Sequence, residues 1–199
     1  MEQPAENTAA LDITGRRLME AAGRILASDG PAALTVRRVS SEAGCSTMCL
    51  YDRFGDKSGV VDRLFIDGFA SLEAATVAAL AGDDPLGCIR ASCGAFRTWA
   101  LDNRTHYAVM FARAVPDYTP SPAAIDNAKR ALRTMERGIQ AAIDAGSLAA
   151  RPACDLAHVI WAALHGLVSL ELAGMLSAEA AGRYHQQVVD ALLRGLAPE

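Results

Sequence analysis

Residues 34–57 read LTVRRVSSEAGCSTMCLYDRFGDK, and the fold follows from how this stretch is parsed. Thr35 offers a hydroxyl where a helix N-cap needs one, and Val36, Val39 and Ala43 then recur at i, i+3 and i+7 along one face. Gly44 supplies the left-handed backbone that ends such a helix, and Ser46 is the cap of the next. In that second helix Leu50 and Phe54 point inward, which leaves Thr47, Met48, Tyr51 and Asp52 facing out. Two short helices joined by a tight glycine turn, with a third helix starting at Asp56-Lys57, form the layout of a helix-turn-helix DNA reader. The outward residues of the second helix are its candidate readers.

Working upstream, Leu18, Ala21, Ala22, Ile25 and Leu26 stripe a helix over 13–28 that Asp29-Gly30 ends, and residues 1–11 read as a disordered tail. Downstream, Asp56 caps a long helix over 57–80 with Val61, Leu64, Phe65, Phe69 and Leu72 on one side. Asp84-Pro85 pairs a cap with a first-turn proline and starts a helix to about 102, and Asn103 opens a shorter one through 113. Three prolines make 116–122 a loop. Ser121-Pro122 begins a helix to about 145, an apolar helix follows over 153–173, and Ser177 caps the last one, where Tyr184, Val188, Leu192 and Leu196 recur every four residues. No strand-like alternation interrupts this series, so the spacing predicts an all-α protein of nine or ten helices.

The order and spacing of the Leu18 stripe, LTVRRV, SEAGCS, LYDRF and Asp56-Lys57 resemble the TetR family of transcriptional regulators over roughly forty-five residues, a far more specific match than a lone helix-turn-helix pattern. Two positions depart from the family pattern: Met48 stands where a small residue or proline is usual, and Arg53 where histidine or tyrosine is usual. Residues 161–172, WAALHGLVSLEL, resemble the C-terminal domain type of that family named for its Trp and His-Gly. The resemblance implies a helix-turn-helix DNA-binding domain over 12–58 and a helical effector-binding and dimerisation domain over 59–199.

It also implies roles for particular residues. Thr35, Tyr51 and Lys57 contact phosphates, for which a first-turn hydroxyl, a phenol and an ammonium are suitable donors, although capping alone explains Thr35. Thr47 and Met48 take the base-edge positions, where a methionine can press on a thymine methyl. Arg37, Ser46 and Arg53 complete the candidate DNA face, with Arg53 able to bind phosphate or to pair with Asp52 or Asp56, and Asp52 expected in an internal ion pair. In the body, Phe96, Trp99, Tyr107, Met110, Phe111, Met135, Trp161 and His165 are the implied walls of an effector cavity, each equally readable as ordinary core. The last two helices of each subunit would build a four-helix interface in a twofold homodimer. Function then reads as a repressor released from a palindromic operator by a small molecule.

Composition constrains the alternatives. A net charge of −4 hides an asymmetry: residues 14–58 carry seven cations against five acids, which leaves −6 on the remainder, a weak signature that suits a DNA-facing module on an acidic body. There is no glycine-rich phosphate loop and no GxSxG nucleophile turn, which disfavours an enzyme, and His106, His158, His165 and His185 form no ligand cluster, so neither metal nor cofactor is expected. The acidic, polar N-terminus resembles no signal peptide, and the apolar run 156–176 contains His158, His165 and Glu171, so a cytoplasmic protein with a buried core helix is expected, not a membrane span. Two competitors stand: a ligand-free helical interaction protein, and a thiol-responsive regulator using Cys45 and Cys49, against which Cys45 reads as a small hydrophobe at the family's valine position.

Overall fold

The computed structural model describes residues 11–198, so residues 1–10 of the expected tail lie outside the description. Among the described residues there are nine α-helices and no strand: α1 (Ile13–Asp29), α2 (Val36–Glu42), α3 (Thr47–Phe54), α4 (Lys57–Ala79), α5 (Pro85–Asp102), α6 (Arg104–Phe111), α7 (Pro122–Asp144), α8 (Ala153–Leu172) and α9 (Ala178–Gly195), with a 3₁₀ turn at Pro31–Ala33.

The helix ends fall where side-chain chemistry puts them. Asp12 caps α1 by accepting the Gly15 amide at 2.6 Å, Thr35 caps α2 by accepting that of Arg38 at 3.2 Å, and Ser177 caps α9 through Ala180 at 3.2 Å. Asp56 accepts the Gly59 amide at 2.9 Å at the start of α4. Pro85 and Pro122 each open a helix, where their missing N–H costs nothing. Gly44 and Gly55 turn the chain at φ 69° and 74°, a region that only glycine enters without steric cost. The expected helix over 103–113 ends earlier, at Phe111, because Arg113 takes a left-handed φ of 49°.

The chain forms two compact units, each drawn from separate stretches of sequence. The first joins 11–70 with Asn103–Ala128. Its core packs α1 against α2, α3 and α6, with Leu18, Ile25, Leu34, Val39 and Leu50 fully enclosed. The loop before α7 is clasped to α4 by one buried carboxylate: Asp62 accepts from the Tyr118 hydroxyl at 2.8 Å, the Ser121 amide at 2.9 Å and the Ser121 hydroxyl at 2.7 Å. Three donors offset the cost of burying that charge. The Phe65 ring meets the Tyr118 ring at a 55° tilt beside this clasp, with centroids 6.2 Å apart.

The second unit joins Ser71–Asp102 with 129–198 and is built on the packing of α5, α8 and α9. Ile89, Ile139, Leu156, Ile160 and Val168 are its enclosed residues. Two expectations change here. The helix α8 is not a core helix covered all round: Leu156, Ile160, Leu164 and Val168 are buried, while Val159, Trp161, Ala162, Gly166 and Leu170 are exposed. By length and composition alone α8 is apolar enough to cross a membrane, and it is the one such helix among the described residues. In α9 the residues facing inward are Ala181, His185, Val189 and Leu193, one position on from the apolar repeat, so Tyr184, Val188 and Leu192 stay partly exposed. A substantial apolar surface on α8 and α9 is therefore left uncovered by the described residues.

Candidate nucleic-acid interface

All eight candidate DNA-face residues, Thr35, Arg37, Ser46, Thr47, Met48, Tyr51, Arg53 and Lys57, are exposed and lie in the first unit. They are held by a rigid frame. Leu50 and Phe54 anchor the inner side of α3, which fixes the opposite side outward, and Met48 is 63% exposed, unusual for so apolar a side chain. A Cβ at Gly59 would collide with the Phe54 carbonyl, so glycine is what allows α4 to begin so close to the end of α3 and keeps Lys57 beside the reader.

The electrostatics of this face are sparse. Arg38 is occupied, bonding Asp29 at 2.5 Å and Glu42 at 3.2 Å. Among the described residues no ion pair engages Arg37 or Lys57, and both side chains stand available to an external anion.

Three details differ from expectation. Arg53 pairs neither with Asp52 nor with Asp56. It reaches Asp12 at 2.6 and 3.1 Å, and its other nitrogen donates to the Cys49 carbonyl at 3.0 Å. The α1 N-cap, locked by the Gly15 amide, presents a fixed carboxylate that neither neighbour on α3 matches, and Arg53 with Gly15 holds the Asp12 carboxyl down at about 2. Asp52 makes no ion pair among the described residues, because its expected partner is taken. Ser46 occupies the N-cap of α3 with extended backbone but makes no capping bond; its hydroxyl lies 3.4 Å from the Cys49 sulfur instead.

The eight effector-wall candidates fall into both units. Phe96, Trp161 and His165 cluster in the second, with ring centroids 4.9 Å apart for Phe96 and His165 and 4.8 Å for Trp161 and His165. Burial pushes His165 down to about 4, so it is neutral at pH 7. Trp99 donates to the Ser71 hydroxyl at 2.9 Å, and Met135 accepts from Ser92 at 3.4 Å, in the same unit. Tyr107, Met110 and Phe111 belong to the first unit, where Tyr107 and Phe111 pack at 5.1 Å. A cleft of about 490 Å³ between α5 and α9, lined by Arg90, Gly94, Arg97, Thr98, Gly182, His185, Gln186, Val189 and Asp190, contains none of the eight. Arg97 in its wall forms a two-pronged bond to the buried Glu171 at 2.6 and 2.8 Å, and Arg90 bonds Asp190. Among the described residues no group of three or more His, Cys, Asp or Glu side chains converges as a metal site.

Sequence reasoning overlooked Asp12 as the partner of Arg53, and the Arg97–Glu171 pair; both join residues more than forty positions apart, for which the sequence carries no local signal.

Two family descriptions match the chain. "Bacterial regulatory proteins, tetR family" matches residues 18–64, and "Tetracyclin repressor-like, C-terminal domain" matches residues 89–196. No curated protein matches it. Among solved structures, a Rhodococcus sp. RHA1 protein of unknown function is 27% identical with a TM-score of 0.83, covering 99% of this chain and 100% of its own. The TetR family transcriptional regulator PfmR from Thermus thermophilus is 19% identical with a TM-score of 0.71, over 92% of this chain and 100% of its own. The fatty acid degradation regulator FadR from Bacillus halodurans is 13% identical with a TM-score of 0.76, over 96% and 100%. The last two share the fold alone.

Proposed function

The chain belongs to the TetR family of DNA-binding transcriptional regulators, and on that premise we propose that it is a repressor, held on a palindromic operator as a homodimer and released when a small molecule occupies its helical body. One observation carries the reading: the exposed side of α3 offers Thr47, Met48 and Tyr51 together, with Lys57 at the next helix start and no intramolecular salt bridge at Lys57 among the described residues. Thr47 and Met48 read base edges, Tyr51, Lys57 and Thr35 hold phosphates, and Arg37, Ser46 and Arg53 flank them.

The DNA-reading segment is 12–58, and 59–199 binds the effector and the second subunit, in the cytoplasm where the DNA is. Dimerisation uses the uncovered apolar sides of α8 and α9, which supports a twofold pair with reader helices at half-sites about 34 Å apart. The rings of Phe96, Trp161 and His165, with Trp99 and Met135 in the same unit, suit an apolar effector bearing a group that a neutral imidazole can hydrogen-bond. The effector works only by favouring the conformation that does not fit DNA. The clasp from Asp62 to Tyr118 and Ser121 ties α4, which follows the reader directly, to the loop before α7, and its rearrangement is a route for release.

A genome-fragment binding selection with purified protein at a stated salt concentration tests the reading. Enrichment of one palindrome is expected. A folded dimer that enriches nothing would leave a helical interaction protein as the better description.

A further inference from the structure

The reader carries a pair of thiols that DNA recognition does not use. Cys45 lies in the turn before α3 and Cys49 four residues on in its first turn, each partly accessible, and each thiol shifts the ionisation of the other. The ring that a bond between them would close holds three residues, Ser46, Thr47 and Met48, all on the proposed DNA face. We propose that Cys45 and Cys49 form a peroxide-sensitive dithiol whose closure to a disulfide distorts the first turn of α3 and releases DNA. The second half of this inference rests on the DNA-reading function proposed for the chain; the first half does not.

The surroundings divide the labour between the two sulfurs. The Ser46 hydroxyl, 3.4 Å from Cys49, holds that thiol below its usual range, helped by the Arg53 guanidinium, whose nitrogen also bonds the Cys49 carbonyl at 3.0 Å. The amides of the first turn of α3 add a positive field. Burial pushes Cys45 the other way. Cys49 is therefore the attacking thiolate. Its sulfur displaces one oxygen of a hydroperoxide: an S–O bond forms, the O–O bond breaks, and Cys49 leaves as a sulfenic acid with one molecule of water or alcohol released. Cys45 then gives up its proton and attacks the oxidised sulfur; the S–S bond forms, the S–O bond breaks, and hydroxide departs with the proton as water. Two thiols are oxidised and one peroxide is reduced.

Closure has a structural consequence because a disulfide demands a sulfur separation of about 2 Å, well inside thiol contact, and a fixed torsion. Cys49 must leave Ser46, and the turn that positions Thr47 and Met48 must follow. The other cysteines have no such arrangement: Cys88 and Cys93 are buried, and Cys154 is exposed on α8 beside Asp155.

The test uses the full chain, hydrogen peroxide as oxidant, and a duplex enriched by the reduced protein from a random-sequence pool. Trypsin cuts after Arg38 and Arg53, so one peptide, 39–53, contains both thiols. After oxidation that peptide is expected to be lighter by two hydrogens and to resist alkylation, and DNA affinity is expected to fall at least about tenfold, the loss of a base contact in each half-site. Dithiothreitol should restore both, which separates the disulfide from sulfoxide formation at Met48, since a thiol reductant leaves methionine sulfoxide intact on this timescale. Cys45→Val should bind DNA when reduced and keep its affinity under peroxide, while Cys154→Ser should respond as the parent does. The inference is overturned if peptide 39–53 keeps two alkylatable thiols, if it closes with affinity unchanged, or if Cys45→Val stays equally sensitive. A reduced protein that enriches no duplex refutes the DNA reader, and with it the release, while the peptide mass still decides the dithiol.

Discussion

The reader and the body of this protein spend their residues in opposite ways. In α1 to α3 apolar residues are inside and polar ones outside, with Met48 and Tyr51 the large exceptions on α3, and the ion pairs, Arg38 with Asp29 and Arg53 with Asp12, lie on the surface. In the second unit the pattern is partly inverted. Glu171 is buried against Arg97, His185 is buried with its ring nitrogen on the Cys93 carbonyl at 3.1 Å, and Val159, Trp161, Leu170 and Tyr184 are left outside. The contrast teaches where each region expects its partner. A reader that meets a polyanion exposes donors and one large apolar side chain, Met48; a body that meets its own copy exposes apolar surface that another protein surface can cover.

The largest effect is expected from charging the uncovered side of α8. Leu170→Arg, at a position 43% exposed in the protomer, is expected to fold, to sediment as a monomer and to lose about 10²–10⁴-fold in operator affinity through the loss of two-site binding. A dimer that survives this change would show that α8 is not the interface. Next in size is the buried pair. Arg97→Met strands the Glu171 carboxylate and should cost about 3–5 kcal/mol in denaturant unfolding, while Arg97→Met with Glu171→Leu should recover most of it. Equal losses in the single and double variants would mean that the pair is not stranded by the single change.

A pH series sharpens the same contrast. Burial lowers His165 from 6.5 to about 4, so between those values the unfolded chain binds a proton that the folded chain refuses. Stability is therefore full above about pH 6.5 and falls as the pH drops toward 4, by ~2 kcal/mol after allowing for partial exposure. His165→Gln should flatten this limb of the melting curve, and a wild-type curve already flat from pH 7 to 4.5 would count against a buried neutral imidazole. The smallest effect belongs to the reader. Lys57→Ala should weaken binding to every duplex alike and reduce the slope of log K against log salt by about 1.8, the contribution of one phosphate contact in each half-site. A slope unchanged within error would remove Lys57 from the interface.

Much of the fold was legible because its boundaries are local events. The caps at Thr35, Asp56 and Ser177, the prolines at 85 and 122 and the glycine turn at 44 each act within three or four residues, and the helix limits follow them closely. The reader was legible for the same reason, since periodicity alone sends Leu50 and Phe54 in and Met48 and Tyr51 out. What sequence did not reveal is what depends on distant residues. Nothing near Arg53 points to Asp12, nor anything near Arg97 to Glu171. In α9 the every-fourth apolar residues and the buried ones differ by one position, because a helix with two apolar stripes shows periodicity without saying which stripe the rest of the chain covers. The effector walls were least legible: an aromatic at helical spacing is equally a core residue or a cavity wall, and the eight candidates are divided between two units.

In the proposed reading the first turn of α3 reads bases while the residues around it hold the backbone. Parallel selections from one random-sequence pool, with the wild type and with Met48→Ala at the same salt, test it most directly. The expected result is a palindrome in both cases with the preferred base changed at one matching position in each half-site, where the methionine no longer meets a thymine methyl. Two identical palindromes would contradict it.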